Sequence, residues 1–421
     1  MARKMKDSGI EWIGEIPEGW TKNKVIRLFD TIGSGTTPKN ITSDFPVVNW
    51  IQSGDITGSF MPACKNVISA NLLSQYSALK VYPAPFIIIA MYGASVGNAS
   101  ISLIDGCVNQ ACCVLSSPSC NLHYAFYVIK SAQSYLVRKA VGGGQPNISQ
   151  ETIKQLWLPL PPLSTQDIIV RNLDATCSKI DDLLSSVHAS IEEYKKLKQA
   201  VITQAVTTLN CPNVKLKYLM DIIVDCPHET PIYTFTGNYL VIRTSDQSLA
   251  SLRCDEYMYR LDEAEYKKRT RRLTLDKDDI VYGREGSWGL ACLVPQSNKY
   301  CLGQRVMQFR CNTRLLYPKY AMYALNSETV YKQGALDTIG STAPHVNIST
   351  ICNYLLPVPA LNEQKEITNY LDAKCAEIDK LIAKKEQLIK ELESYKKSLI
   401  YEVVTGKREI FTDITRKSPN I

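Results

Sequence analysis

The stretch LPLPPLSTQDIIVRNLDATCSKIDDLL at residues 158–184 decides how this chain is built, because it returns as LPVPALNEQKEITNYLDAKCAEIDKLI at residues 356–382. The offset is 198 residues, and the register holds without a gap from Gly142/Gly340 to Thr207/Thr405. Of those 66 aligned positions 23 are identical, among them Pro146/Pro344, Pro159/Pro357, Pro161/Pro359, Gln166/Gln364, Asp174/Asp372 and Asp181/Asp379. Chance gives only a handful. The chain therefore contains an internal duplication, and that fact precedes any choice of fold.

Each copy opens with alternating prolines, which lock φ and lack an N–H, so this part is extended and outside any helix interior. Ser164 and Asn362 follow, residue types that favour an N-cap, and then more than forty residues pass with no proline and no glycine. One long helix per copy is predicted, about 65 Å for some 43 residues at about 1.5 Å each. Within the first, Leu173, Cys177, Ile180, Leu184, Val187, Ile191 and Tyr194 recur at alternating spacings of four and three. The second keeps the pattern at Leu371, Cys375, Ile378, Ile382, Ile389 and Leu392, with Lys385 interrupting it. Such spacing marks a coiled-coil seam rather than the broader apolar face of a globular helix.

Composition bounds the rest. With 421 residues, 45% hydrophobic and 21% charged, the chain has material for two or more ordinary cores. The N-terminus, MARKMKDSGIEW, lacks an apolar signal core, and the longest apolar run, FIIIAM at residues 86–91, is far too short to span a bilayer. A soluble cytoplasmic protein with no membrane partner is the expectation. The 14 cysteines include no C-x-x-C pair and the 4 histidines are scattered, so buried thiols are expected and no metal site. The net charge of +7 is uneven: residues 1–160 hold 13 basic and 9 acidic side chains, residues 211–356 hold 18 and 15, and the helical segments are near neutral. Two weakly basic domains suit a polyanionic partner without proving one.

The segments ahead of the two helices are also related. LFDTI at residues 28–32 parallels LMDII at 219–223, and each leads to a Thr-Pro, Thr37-Pro38 and Thr230-Pro231. A strand-like run then enters a glycine turn, FIIIAMYGASVGNASI at 86–101 and DIVYGREGSWGLACLV at 279–294. CVNQACCVL at 107–115 answers CLGQRVMQF at 301–309, and YAFYVIKSAQSYLV at 124–137 answers YAMYALNSETVYKQ at 320–333, each expected as a helix. The order is domain, long helix, domain, long helix, with segments at 1–157, 158–209, 210–355 and 356–407 and a tail at 408–421.

Together, DSGIEWIGEIPEGW at 7–20, MYGASVGNASI with VNQACCV at 91–114, DCPHETP at 225–231, CLGQR at 301–305 and the two proline lead-ins resemble the specificity subunit of a type I restriction-modification system. Each block alone is weak; their number and order carry the likeness across essentially the whole chain. The resemblance implies two α/β (α+β) target-recognition domains with twisted sheets, separated by an antiparallel coiled-coil spacer. Each domain is then expected to read one half of a bipartite target in double-stranded DNA. It implies no catalysis and no cofactor in this chain. S-adenosylmethionine, ATP and magnesium are expected on partners, two adenine-N6 modification subunits and, if present, two restriction subunits. The sequence holds no G-x-x-x-x-G-K-[ST] phosphate loop and no N-P-P-[YF] tetrapeptide, in line with that implication. The tripeptides Glu265–Lys267 and Glu363–Lys365 mimic part of a nuclease signature and are too short to carry weight.

DNA-contacting candidates follow from residue chemistry. The turns at Tyr92, Gly93 and Ser95 and at Arg284 and Ser287 let backbone approach a phosphate or groove edge, and Arg284 has the fork that pairs with guanine; an ordinary inter-strand turn is the competing reading. Gln110 and Gln304 suit an adenine edge or a local cap, with Arg305 beside the second. Lys267, Lys268, Arg271 and Arg272 in KKRTRR suit phosphates or simply a solvated face. Arg284 and Trp288 have no counterpart in the first turn, so different bases are expected for the two domains. Two other classes stay open: a self-sufficient DNA enzyme, and a coiled-coil interaction scaffold without sequence-specific DNA binding.

Overall fold

The computed structural model describes residues 3–39, 41–142, 146–207, 210–253, 255–286, 288–338 and 344–410. The chain divides into two units, Met1–Ser185 with Leu388–Ile421, and Ser186–Gln387. These units share the long helices, whereas the segments drawn from sequence assign each helix whole.

In the first unit, β1 (Phe29–Gly33), β2 (Phe86–Ala90), β3 (Ala99–Ser102) and β4 (Cys112–Pro118) form an antiparallel sheet in the order β1-β4-β2-β3. The short strand Phe60–Met61 adds to β3 in parallel. β2 has no polar alternation because both of its faces are covered. Ile87 and Ile89 pack with Tyr124, Ala125 and Val128, while Phe86, Ile88 and Ala90 pack with Ile51, Tyr82 and Val108. Helix α1 (Leu122–Ser131) starts at Asn121, whose side chain accepts from the Tyr124 N–H.

The proline lead-in Trp157–Leu160 pairs antiparallel with Thr21–Lys24, a two-stranded ribbon in which missing proline donors cost nothing on the open edge. Helix α2 then runs Leu163–Thr207. It begins two residues earlier than a cap at Ser164 would give: the Pro162 carbonyl accepts from the N–H groups of Thr165 and Gln166 at 2.8 and 3.0 Å, so Ser164 lies inside the first turn. Proline with its fixed φ tolerates a helix start, which the reading of Ser164 as cap overlooked.

The second unit repeats the plan. β5 (Met220–Asp225), β6 (Ile280–Gly283), β7 (Ala291–Leu293) and β8 (Val306–Cys311) stand in the order β5-β8-β6-β7, all antiparallel. Ile280 and Tyr282 of β6 face one core cluster and Val281 faces another, as in β2. Helices α3 (Glu263–Arg269), α4 (Pro318–Leu325) and α5 (Leu361–Val404) follow. Asn362, like Ser164, falls within the first helical turn. The lead-in Leu355–Pro357 pairs with Asn213–Lys215.

Within each unit the two long helices are antiparallel. In the first, Lys396 Nζ lies 2.5 Å from Asp181 Oδ1, and the Tyr124 hydroxyl donates to both Pro159 O at 2.8 Å and Val404 O at 3.1 Å. The last turn of α5 therefore meets the start of α2. In the second, Lys198 Nζ lies 2.8 Å from Asp379 Oδ2, the Lys385 ammonium is 5.7 Å from the Tyr194 ring centre, and Ile202 and Val206 share a core with Leu371 and Cys375. Asp181–Lys396 and Lys198–Asp379 are one pair written twice, each residue moved by 198.

The seam residues face inward as their spacing requires: Leu173, Cys177, Ile180, Ile191, Leu371, Cys375 and Ile378 are buried, and Leu184, Val187, Ile382, Ile389 and Leu392 are half-buried. Lys198 is a seam residue that the apolar pattern did not announce. Its stem is buried and its ammonium reaches Asp379, whose side chain is half in solvent. Burial raises the thiols of Cys177 and Cys375, and pushes Cys107 up to about 11 and Cys292 up to about 12, which leaves them as protonated packing groups.

Two glutamines tie the helices to their domains. Gln166 Nε2 donates to Pro161 O and its Oε1 accepts from Asn121 N, both at 2.9 Å. Gln364 Nε2 donates to Pro359 O at 2.9 Å and Leu315 O at 3.0 Å, and its Oε1 accepts from Tyr317 N at 2.7 Å. The Tyr127 hydroxyl donates to Asp174 and that of Tyr323 to Asp372, at 2.6 and 2.9 Å. Among the described residues no helix is long and apolar enough to cross a membrane.

Candidate nucleic-acid interface

In each unit three elements named from sequence come together: the loop after the first sheet strand, the glutamine before the last, and the glycine turn. In the first unit the loop after β1 is held by Ser34 Oγ donating to Cys112 O at 2.7 Å and Thr37 Oγ1 donating to Gln110 Oε1 at 2.6 Å. Gly93, at φ +73°, donates its N–H to Pro146 O at 2.9 Å. In the second unit Gln304 Nε2 donates to His228 O at 3.2 Å, and Gly286, at φ +69°, donates to Pro344 O at 3.0 Å. Glycine serves at both turns because that left-handed backbone is costly for other residues. Gln110 and Gln304 thus each bond to the neighbouring loop.

The hydrogen bonds fix which residues correspond. Ile148 N donates to Met91 O at 2.9 Å, and Val346 N donates to Arg284 O at 3.0 Å. Arg284 therefore occupies the place of Met91, a buried apolar residue. Only 8% of it is exposed, and its Nη2 lies 3.2 Å from Asp225 Oδ2 and 2.8 Å from Glu285 Oε1. The expected guanine fork is turned inward between two carboxylates, so its geometry is that of a positioning residue for the loop that begins at Asp225. Trp288 is likewise internal, stacked on Tyr331 at 4.2 Å and 5°. The two turns differ beneath the surface more than on it.

Arg284→Met, which installs the residue of the first domain, is expected to destabilise the second unit by about 2 kcal/mol through loss of a charge-assisted pair. Amide exchange should quicken at Cys226–Glu229. Unchanged exchange there would show that the ion pairs do not hold the loop.

The remaining candidates are distributed as follows. Tyr92 is exposed, and Ser95 is half-buried with its hydroxyl on Tyr92 O at 3.3 Å. Lys267 pairs with Glu263 at 2.6 Å and Lys268 with Glu229 at 2.8 Å. Arg271 and Arg272 are exposed, with no ion-pair partner among the described residues. Arg305 is exposed at φ +68°, and its carbonyl accepts from Arg284 N at 2.9 Å. Ser287 lies outside the described residues.

Sequence reading missed three features of this face. Arg269, inside the basic run, is buried and donates to Leu302 O at 3.1 Å, Glu229 O at 2.9 Å and Pro227 O at 3.4 Å, pinning the loop. Tyr233 and Tyr259 meet at 4.5 Å, and the Arg243 guanidinium lies 3.9 Å from the Tyr259 ring centre. The loop tips also leave aromatic rings in solvent. The one available signal was composition: TPIYTFTG at 230–237 carries three large apolar residues where a turn usually has none.

Comparison with known proteins agrees with this duplicated plan. The family described as "Type I restriction modification DNA specificity domain" matches residues 17–193 and 225–394. The MjaVIII specificity subunit of Methanocaldococcus jannaschii is 24% identical over 306 residues, covering 68% of this chain and 69% of its own length. The EcoBI specificity subunit of Escherichia coli is 21% identical over 377 residues, covering 81% of this chain and 78% of its own. A solved chain from a study of complex assembly and conformational transition of the type I R-M system superposes with a TM-score of 0.68 at 16% identity, covering 93% of this chain and 99% of that one. With the two matched segments falling one on each repeat, this chain belongs to the family of type I restriction-modification specificity subunits.

Proposed function

We propose that this chain is the non-catalytic DNA-reading subunit of its complex, with one domain on each half of a bipartite duplex target. Modification subunits that bring S-adenosylmethionine and methylate adenine N6 dock on it, and restriction subunits that use ATP and magnesium join where present. The observation that carries this reading is the repeated face: one loop, one glutamine and one glycine turn occur in the same arrangement in both units. A self-sufficient enzyme has no need of two such faces. A cytoplasmic setting follows from the DNA substrate.

Phosphate contacts position such a domain and make its binding salt-dependent, with a slope of about 0.9 per neutralised phosphate. Arg271 and Arg272 are the cations best placed for this in the second domain, since Lys267 and Lys268 must first leave Glu263 and Glu229. In the complex with a modification subunit, the double change Arg271→Ala, Arg272→Ala should reduce the slope of log affinity against log salt by about 2. It should weaken target and non-target duplexes alike. An unchanged slope would place the phosphate track elsewhere; a chain that retards no duplex in the assembled complex would favour the scaffold.

A further inference from the structure

We propose that Phe45 and Phe235 are paired apolar wedges, one in each domain, that enter the base stack of the two half-sites; this rests on the DNA-reading function proposed above. Among the described phenylalanines only these two exceed half exposure, at 90% for Phe45 and 101% for Phe235. They sit in corresponding loops. Phe45 follows β1 and Thr37-Pro38, and Phe235 follows β5 and Thr230-Pro231. Each is accompanied by an exposed isoleucine, Ile41 at 52% and Ile232 at 71%. Two domains whose loops differ in length and sequence have kept the same unusual feature at the same place.

The rings are exposed although the chain around them is held. Beside Phe45, Ser69 N donates to Thr42 O at 2.8 Å, Ala70 N donates to Pro46 O at 2.7 Å, and Lys39 N donates to the Tyr76 hydroxyl at 3.2 Å. Beside Phe235, Thr234 N donates to Arg260 O at 2.9 Å, Arg260 Nη1 donates to Gly237 O at 3.3 Å, and Tyr233 packs on Tyr259. A tip that could fold its ring inward is instead fixed with the ring outward, the preorganisation expected of a binding element.

The surroundings favour a nucleic acid over a protein groove. Each ring is flanked in sequence by small polar residues, Ser43 and Asp44 in one loop and Thr234 and Thr236 in the other. Each loop is bonded to the glutamine beside the glycine turn, and in the second domain Lys268 and Glu229 link it to the basic run that carries Arg271 and Arg272. An exposed apolar tip on a held loop matches an inserted wedge, which partly unstacks a base step and kinks the duplex. It also gives each half-site a preference for deformable steps that needs no hydrogen bond to a base.

The test uses the full chain with its modification subunit and a duplex carrying the mapped methylation motif, with 2-aminopurine in place of one adenine in either half. Wild type should raise the fluorescence of the probe in both halves, because unstacking relieves its quenching. Phe235→Ala should abolish the rise in one half only and weaken binding about 5- to 150-fold, the range seen for loss of one base–aromatic contact. Phe45→Ala should do the same in the other half, and Phe→Trp at either site should restore it. Wild-type fluorescence and affinity in both alanine variants overturns the wedges while leaving the reading function intact; so does loss of modification-subunit binding with DNA contacts unchanged, which makes the rings a protein contact. Failure to find any methylation motif for wild type overturns the reading function and the wedges together.

Discussion

Replacing Gln364 by alanine is expected to destabilise the second unit by about 3–5 kcal/mol, more than any surface change considered above. The side chain is fully buried and makes three hydrogen bonds, to Tyr317 N, Leu315 O and Pro359 O. Alanine leaves one donor and two acceptors without partners and away from water, and each orphan costs about 1–3 kcal/mol before partial relaxation. Glutamate is no rescue: it can still accept from Tyr317 N, but it puts a charge in a buried site and cannot donate to the carbonyls unless protonated. Gln166→Ala should show the same behaviour in the first unit, where the bonds go to Pro161 O and Asn121 N. Amide exchange of the full chain checks this. Loss of protection should centre on Tyr317–Leu325 and Leu355–Gln364 for the Gln364 variant, and protection equal to wild type would refute the staple.

Lengthening the helices is expected to change the target itself rather than its affinity. Within the second unit the pair Lys198–Asp379 fixes the antiparallel register, and by that register Ser190 faces Gln387 and Ile191 faces Glu386. Four residues inserted between Ser190 and Ile191 and again between Glu386 and Gln387 add about 6 Å to both helices at matching levels. Insertion at Ser185 and Ala383, equivalent in sequence, would instead offset the seam between the two sites. If the helix pair sets the distance between half-sites, the unspecified gap in the methylation motif should grow by about two base pairs of 3.4 Å while both half-sites keep their bases. An unaltered gap would mean that the ruler lies elsewhere.

The helices and the doubling of the domains were legible because they rest on period and repetition. Four-three spacing, long proline-free runs and a fixed 198-residue offset each translate directly into geometry. The strand at FIIIA was visible as an apolar run, though not that its two faces serve separate clusters. What failed at Ser164 was local: proline can start a helix, so the residue type favoured for a cap was not needed there. What failed at Arg284 was correspondence. A guanidinium in a glycine turn reads as a surface group until its hydrogen bonds align it with Met91, and nothing in a single sequence reveals that alignment. Lys198 was hidden similarly, because a lysine breaks an apolar pattern whether or not its stem is buried. The exposed rings were overlooked for the opposite reason, since aromatic residues usually announce a core.

The measurement that bears most directly on the account is a long-read map of methylated adenines in cells that express this chain with its neighbouring modification subunit, set against cells that express the modification subunit alone. The account predicts a new motif in two parts with a fixed gap, present only when this chain is present. No new motif, with both proteins soluble and associated, would contradict it and leave a scaffold that holds partners without reading DNA.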